Sequence, residues 1–400
     1  MDGGSVSATA AGSATAERYL RLGLQLGRHV DGLVDAYFGP PELAAAVEAE
    51  PPVAPPELVA AADGLLDELE DGWLRDQVLG LRAYAGVLAG EAVPYADEVE
   101  RCYGVRPTFT DEAVFASAHA ELDELLPGDG PLGERLERWE ASIRVPTELI
   151  EPTVAAVIEE ARAQTLELVS LPEGEGVEVE IVRDEPWLAF CEYLGDSRSR
   201  ISVNVDLPLS AIELLVLTMH ETYPGHHAER SSKEEVLVRG QGLLEETIVL
   251  VPTPQSLVTE GIATIAPRLL LEGEGAGRLA AVLHDAGVDF DLAHALAVDR
   301  AREPLSAAEV NASLLMYERG ADSAEVQAYL ERWALQASQL AAHLVRFLEE
   351  PTSRTYILTY SAGRDLCRAY GGNDPNRFRR LLTEQVRVHD LLAARDTPTR

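Results

Sequence analysis

The sequence predicts a mainly α-helical protein, two helical lobes around a deep cleft with a small antiparallel β-sheet at the cleft wall. Three observations carry this. Long segments on both sides of the chain's middle place apolar residues at helical spacing. Only residues 176–206 change to alternating apolar and polar positions. Directly after them, Ala211-Ile212-Glu213-Leu214-Leu215-Val216-Leu217-Thr218-Met219 is apolar almost all round, as a core helix is.

The first fifteen residues are dominated by Gly, Ser, Ala and Thr, with no basic start and no apolar core. They read as a disordered tail rather than a secretory signal, followed by one helical domain over residues 16–400. Tyr19, Leu20, Leu22, Leu26, Val30, Leu33 and Tyr37 predict a helix over residues 16–37, ended by Gly39-Pro40-Pro41. Further helices are expected at 57–71, 74–89, 111–125, 131–143 and 148–169. Val177-Glu178-Val179-Glu180-Ile181-Val182 alternates as a half-buried strand does. Trp187 to Tyr193 and Ser199 to Val205 add two more, with turns at Glu185-Pro186 and Gly195-Asp196. A strand beside a catalytic centre can pair with an extended substrate, with Asn204 or the backbone near it lining the cleft; a purely structural hairpin is the equal alternative. Late in the chain, Trp333, Leu340, Leu344, Phe347 and Leu348 fall on one face of a core helix. Tyr356, Tyr360, Gly363, Arg364 and Cys367 share another helical stripe.

The formal charge of −35, from 33 basic and 68 acidic residues, disfavours nucleic acid and anionic membrane as partners. No apolar run approaches the roughly 20 residues of a membrane span. Cys102, Cys191 and Cys367 are few and far apart, which excludes a Cys-x-x-Cys site and fits a reducing, cytoplasmic compartment. The sequence leaves the oligomeric state open, a homodimer among the options.

The chemistry concentrates in His220-Glu221-Thr222-Tyr223-Pro224-Gly225-His226-His227, which holds three of the nine histidines. Adjacent imidazoles and carboxylates are costly to bury unless something binds them. A divalent metal does so, and neutral imidazole suits Zn2+. Ser210 with Glu213 forms a capping-box signature at the start of the helix that delivers His220. Position i+4 from His220 is Pro224, so the plain H-E-x-x-H spacing is absent. Pro224-Gly225 must bulge or break the helix. A two-residue bulge puts His226 in the i+4 slot, which makes it the preferred second ligand; His227 is the alternative. Zinc in hydrolases takes three protein ligands and keeps a fourth position open. Glu260, opening a second apolar helical segment, is the best third ligand, with Glu229, Glu245 and Glu246 as rivals. Glu221 is the expected general base. Tyr360 can stabilise an oxyanion, and Arg364 can hold a substrate carboxylate.

His220-Glu221…Pro224-Gly225-His226-His227 followed by Glu260-Gly261-x-Ala263 resembles an uncharacterised bacterial family with HExxPGHH and EGxA motifs. That family is similar in fold to thermostable (Taq-type) carboxypeptidases and, more loosely, to gluzincin peptidases. Tyr37-Phe38-Gly39-Pro40 and Tyr360-Ser361-Ala362-Gly363 extend the resemblance over most of the chain from about residue 16. Ile262 departs from it, standing where an aromatic residue is common. The resemblance implies a zincin-like domain and a zinc-dependent, carboxypeptidase-like hydrolase of short peptides. A hydrolase of non-peptide amides or esters, and an inactive helical binding protein, are the alternative expectations.

Overall fold

Proline opens helix after helix in this chain. Its fixed φ suits the first turn, where a backbone N–H has no partner to lose. The computed structural model describes residues 4–184, 188–206, 208–351, 353–372 and 374–396, with side chains described from residue 13 onward. In chain order the first elements are α1 (Gly4–Gly27), β1 (Val34–Tyr37), α2 (Pro41–Ala49), α3 (Pro55–Leu66), α4 (Trp73–Leu88), α5 (Tyr95–Tyr103), α6 (Glu112–Leu125), α7 (Leu132–Ser142) and α8 (Thr147–Leu168). The sheet strands β2 (Gly176–Val182), β3 (Ala189–Gly195) and β4 (Arg198–Asn204) lead into α9 (Ala211–Glu221) and α10 (His226–Lys233). Then come β5 (Ile248–Leu250), α11 (Pro254–Leu270), α12 (Gly273–Asp285), α13 (Leu292–Arg302), α14 (Ala307–Arg319), α15 (Ser323–Trp333), α16 (Ser338–Glu349), α17 (Ser353–Leu358), α18 (Arg364–Gly371), α19 (Pro375–Thr383) and α20 (Val388–Arg395). The fold is mainly α-helical, as the periodicity predicts.

Several local expectations are corrected. The stretch expected as a disordered tail is helical from Gly4; its alanines favour helix and no proline interrupts it. Residues 1–3 lie outside the described residues. The helix expected over 16–37 stops at Gly27, and Val34–Tyr37 is instead a strand paired antiparallel with β5, Tyr37 opposite Ile248. That partner is more than two hundred residues away, so no local pattern announces it. The helix expected to run through Trp333 to Leu348 is two helices, interrupted where Leu335 takes φ 56°. Leu340, expected in the core, is 49% exposed.

The sheet order is β2-β4-β3. β3 and β4 form the expected antiparallel hairpin, turned by Asp196 and Ser197 at φ 52° and 55°, the positive-φ pair such a two-residue turn requires. β2 pairs with the far side of β4 in parallel, Gly176 opposite Arg198 through Val182 opposite Asn204. Three strands alternating in direction along the chain become partly parallel once the third inserts between the first two. The sheet is therefore mixed rather than wholly antiparallel. The turn expected at Glu185-Pro186 and the strand start at Trp187 lie outside the described residues.

Two large apolar cores form among the described residues, beside a small cluster of Ala36, Tyr193 and Val249. One gathers α6 to α9 with α12, α13 and α15, around Phe115, Val154, Leu215, Met219 and Leu330. The other gathers α1, α3, α4, α5 and α11 with α18 to α20, around Tyr19, Leu81, Leu257, Ile262 and Phe378. α9 packs into the first and α11 into the second, and the two helices touch. Among the described residues, no helix is long and apolar enough to cross a membrane.

Candidate metal centre

The break after α9 follows from its sequence. Ser210 caps the helix: its hydroxyl accepts from the Glu213 backbone N–H, while the Glu213 carboxylate accepts from the Ser210 N–H at 3.0 Å. Fourteen residues after Ser210, Pro224 cannot donate, and the chain leaves the helical track with the Tyr223–Pro224 peptide cis. The backbone N–H of Gly225 reaches the Met219 carbonyl at 3.2 Å, and that of Ala228 reaches the Thr222 carbonyl at 3.1 Å. Both span six residues where a regular helix spans four. This is the two-residue bulge expected at Pro224-Gly225. A Cβ on residue 225 would lie 1.9 Å from the His220 carbonyl oxygen, so only glycine lets the chain fold back this tightly.

The bulge brings His226 beside His220, ring centroids 4.7 Å apart and planes at 89°. Glu260, from α11, completes the set: its carboxylate lies 3.6 Å from His220 Nε2 and 3.4 Å from His226 Nε2. One ligand atom from each of the three residues falls within 4.8 Å of the other two. In a tetrahedral zinc site, bonds of about 2.0–2.1 Å hold neighbouring ligand atoms about 3.4 Å apart. The donor chemistry fits as well: two imidazoles and one carboxylate are a common hydrolytic zinc set. Glu260 Oε2 and His226 Nδ1 are buried with no hydrogen-bond partner, so both groups carry bonding capacity the protein leaves unused. Burial alone would raise the Glu260 carboxyl, but the His226 and His220 imidazoles outweigh it and hold it well below the usual carboxylate range. Burial likewise opposes charge on His226, yet Glu260 and then Glu221 raise it.

His227 is not part of this set. It is fully buried, its Nε2 2.9 Å from Glu175 Oε2 and its Nδ1 2.8 Å from Ser199 Oγ. Tyr223 donates to the same Glu175 oxygen, and Arg162 donates to the other at 2.6 Å. Burial depresses the His227 imidazole against the pull of Glu175. The residues of the break are thereby tied to the strands before them. The rivals for third ligand are also placed elsewhere: Glu229 pairs with Lys233 Nζ at 2.6 Å, and Glu246 lies close to Gln255.

The three ligands line a cleft of about 660 Å³ together with Glu221, Tyr356 and Tyr360. Glu221 is 7% exposed on the last turn of α9. Tyr356 donates to Glu260 Oε1 at 2.6 Å, the oxygen nearer His226, which fixes that carboxylate and leaves Oε2 toward His220. Tyr360 packs edge-on to Tyr356, centroids 5.5 Å apart. Desolvation, then Glu260 and Glu221, raise the Tyr360 phenol well above its ordinary value, so it keeps the proton with which to donate.

Two sequence expectations fail at this cleft. Arg364 is not in it. Residues Thr359–Gly363 form a π-helical turn, and its extra residue rotates Arg364 off the Tyr356–Tyr360 stripe. Its guanidinium bonds Asp365 at 2.9 Å and Ser306 Oγ at 2.8 Å, on the wall of a different cavity. Asn204 is 1% exposed and accepts from the Asp206 backbone N–H at 3.0 Å. β3, not β4, faces the cleft, through Ala189, Phe190 and Cys191. Conversely, no function is assigned to Arg230 or Asp35 from the sequence, and His343 reads as a structural residue of a core helix, yet all three line the cleft. Arg230 carries a signal in retrospect: it stands at i+4 from His226 and shares its helical face.

No family model matches the chain, and no curated protein matches it. Among solved structures it is similar to a provisionally assigned lipoprotein from Colwellia psychrerythraea, with a TM-score of 0.54 and 16% identity over 89% of this chain and 62% of that one. It is also similar to a provisionally assigned lipoprotein of unknown function from Shewanella oneidensis, with a TM-score of 0.51 and 13% identity over 88% of this chain and 66% of that one. The chain thus spans just under two thirds of the length of either. At these identities the likeness concerns the fold alone.

Proposed function

We propose that this protein is a zinc-dependent metallohydrolase, carboxypeptidase-like, cleaving short peptides. The observation that supports this best is the convergence of His220, His226 and Glu260 from three helices and two cores, at ligand spacing, in a cleft that also holds Glu221. A structural metal would be closed off; this set offers three ligands and opens on a cavity, as hydrolytic sites do.

His220, His226 and Glu260 would hold the ion, which supplies Lewis acidity to a substrate carbonyl and to a water molecule. Glu221 takes the proton of the attacking water and passes it to the leaving amine. Tyr360 donates its hydroxyl proton in a hydrogen bond to the developing oxyanion. Tyr356 keeps Glu260 in place while this happens.

The test combines metal analysis with turnover. The purified protein is expected to hold about one equivalent of zinc, and His220→Ala to hold far less. Glu221→Gln should keep the metal and lose at least 10²-fold in peptide hydrolysis. Metal-free wild-type protein, or a Glu221→Gln variant with unchanged turnover, would remove the proposal. A panel including small non-peptide amides and esters separates the peptidase reading from the wider amidase one.

A further inference from the structure

We infer that the cavity walled by Arg364 is a second binding site, separate from the metal centre, and that it takes a small organic cation: a primary ammonium on an aliphatic body, with Glu309 as its counter-ion.

This cavity measures about 380 Å³, within the range of about 300–1,000 Å³ that small-molecule sites occupy. It shares no lining residue with the metal cleft. Val216 and Thr264 line it, each four residues from a metal ligand, His220 on α9 and Glu260 on α11. It therefore opens one helical turn, about 6 Å, away from the ligands on the same two helices.

Most charges around it are answered within the protein. Glu303, between α13 and α14, bonds Arg268 and Arg368 and has Arg364 at 3.7 Å. Arg302 bonds Glu140 at 2.6 Å. Glu213 caps α9 through Ser210, and Asp299 has Arg268 at 3.8 Å. Arg300 and Glu272 are exposed at the rim. Glu309, on α14, is the exception. Its Oε1 accepts from the neutral Gln336 at 2.9 Å, and among the described residues no cation bonds it. Its Oε2 has no partner there either, yet it is not one of the unpaired atoms that the protein seals from solvent. Burial, working against Arg302 and Gln336, holds the carboxyl up at about 7.

A desolvated carboxylate without a cation is costly, and an ammonium that bonds it removes the cost. A metal ion does not suit this wall: among the described residues, only His220, His226 and Glu260 bring three ligand atoms together. The rest of the lining includes Val216, Leu271, Leu296 and Leu305, which fit a hydrocarbon body.

The test titrates the full chain, as purified, with pentylamine and with 1-pentanol, its uncharged counterpart, by calorimetry. At pH 8 the amine is expected to bind at least tenfold more tightly than the alcohol. Its affinity should fall about tenfold from pH 8 to pH 6, because Glu309 passes from mostly ionised to about one-tenth ionised while the amine stays protonated. Glu309→Gln, neutral at both pH values, should bind the amine no better than the alcohol. Leu296→Trp keeps the carboxylate but fills the cavity and should weaken the amine at least tenfold; it stands as a check should Glu309→Gln fold poorly. No binding of the amine, equal binding of amine and alcohol, or an affinity flat between pH 6 and 8 would each overturn the assignment. So would a preference that survives Glu309→Gln, full-strength binding by Leu296→Trp, or binding that EDTA abolishes, which would put the amine on a metal instead. None of these outcomes bears on whether the other cleft is hydrolytic.

Discussion

His226 and His227 are adjacent in sequence and opposite in role. One faces an unsatisfied carboxylate across the cleft floor, and the other is spent on Glu175 and Ser199. His226→Ala should abolish metal binding with little loss of fold. His227→Ala should cost roughly 1–3 kcal/mol through the lost hydrogen bonds to Glu175 and Ser199, seen in denaturant unfolding, while the folded fraction still binds zinc. A reversed pattern would exchange their assignments. Tyr356 acts through Glu260, so Tyr356→Phe should weaken zinc 10–100-fold in competition with a chelator. That His220, Glu221 and His226 come together was legible because two imidazoles and a carboxylate in one short window have few other uses. Arg230 and Arg364 were not, since an arginine among 68 acids looks the same from the sequence whether it faces a cavity or an ion pair.

At the scale of elements, glycine decides which helices meet. A Cβ at position 261 would come within 2.3 Å of the Gly363 carbonyl oxygen, and one at 363 within 2.3 Å of the Leu257 carbonyl oxygen. α11 and the π-turn before α18 therefore touch backbone to backbone directly beside Glu260. Gly261→Ala should separate them, costing roughly 1–3 kcal/mol and lowering zinc affinity through a displaced Glu260. Unfolding together with metal titration checks both effects. The break at Pro224-Gly225 and the capping box at Ser210 could be read locally, because proline and capping residues act on their own neighbours. The π-turn that diverts Arg364 and the pairing of β1 with β5 depend on distant partners, and the sequence holds no local mark of either.

At the scale of the molecule, two of the ligands come from a helix–bulge–helix whose first helix packs in one core. The third comes from a helix in the other. An ion held among them links the two. At a thousandfold excess over Kd, zinc should add about 4 kcal/mol to unfolding, visible as a higher Tm that a chelator reverses and that His220→Ala never shows. A second stability effect has the opposite character. Burial, against Arg302 and Gln336, raises Glu309 to about 7 from the usual 4.5. The folded state therefore holds this proton more tightly than the unfolded one. The resulting stabilisation is complete below about pH 4.5 and is lost as pH rises through about 7. Glu309→Gln, which stays neutral, should stabilise the protein at pH 8 by about 2 kcal/mol and change little at pH 4.5. Melts at the two pH values measure the difference.

Lys233 is the one lysine in 400 residues, and the fold shuts its amine against Glu229 on α10. Acylating reagents that modify lysine side chains on most proteins should therefore leave this side chain untouched until that part of the molecule opens. A single labelled peptide, followed by mass spectrometry over time, would then clock the opening of the helix that carries His226.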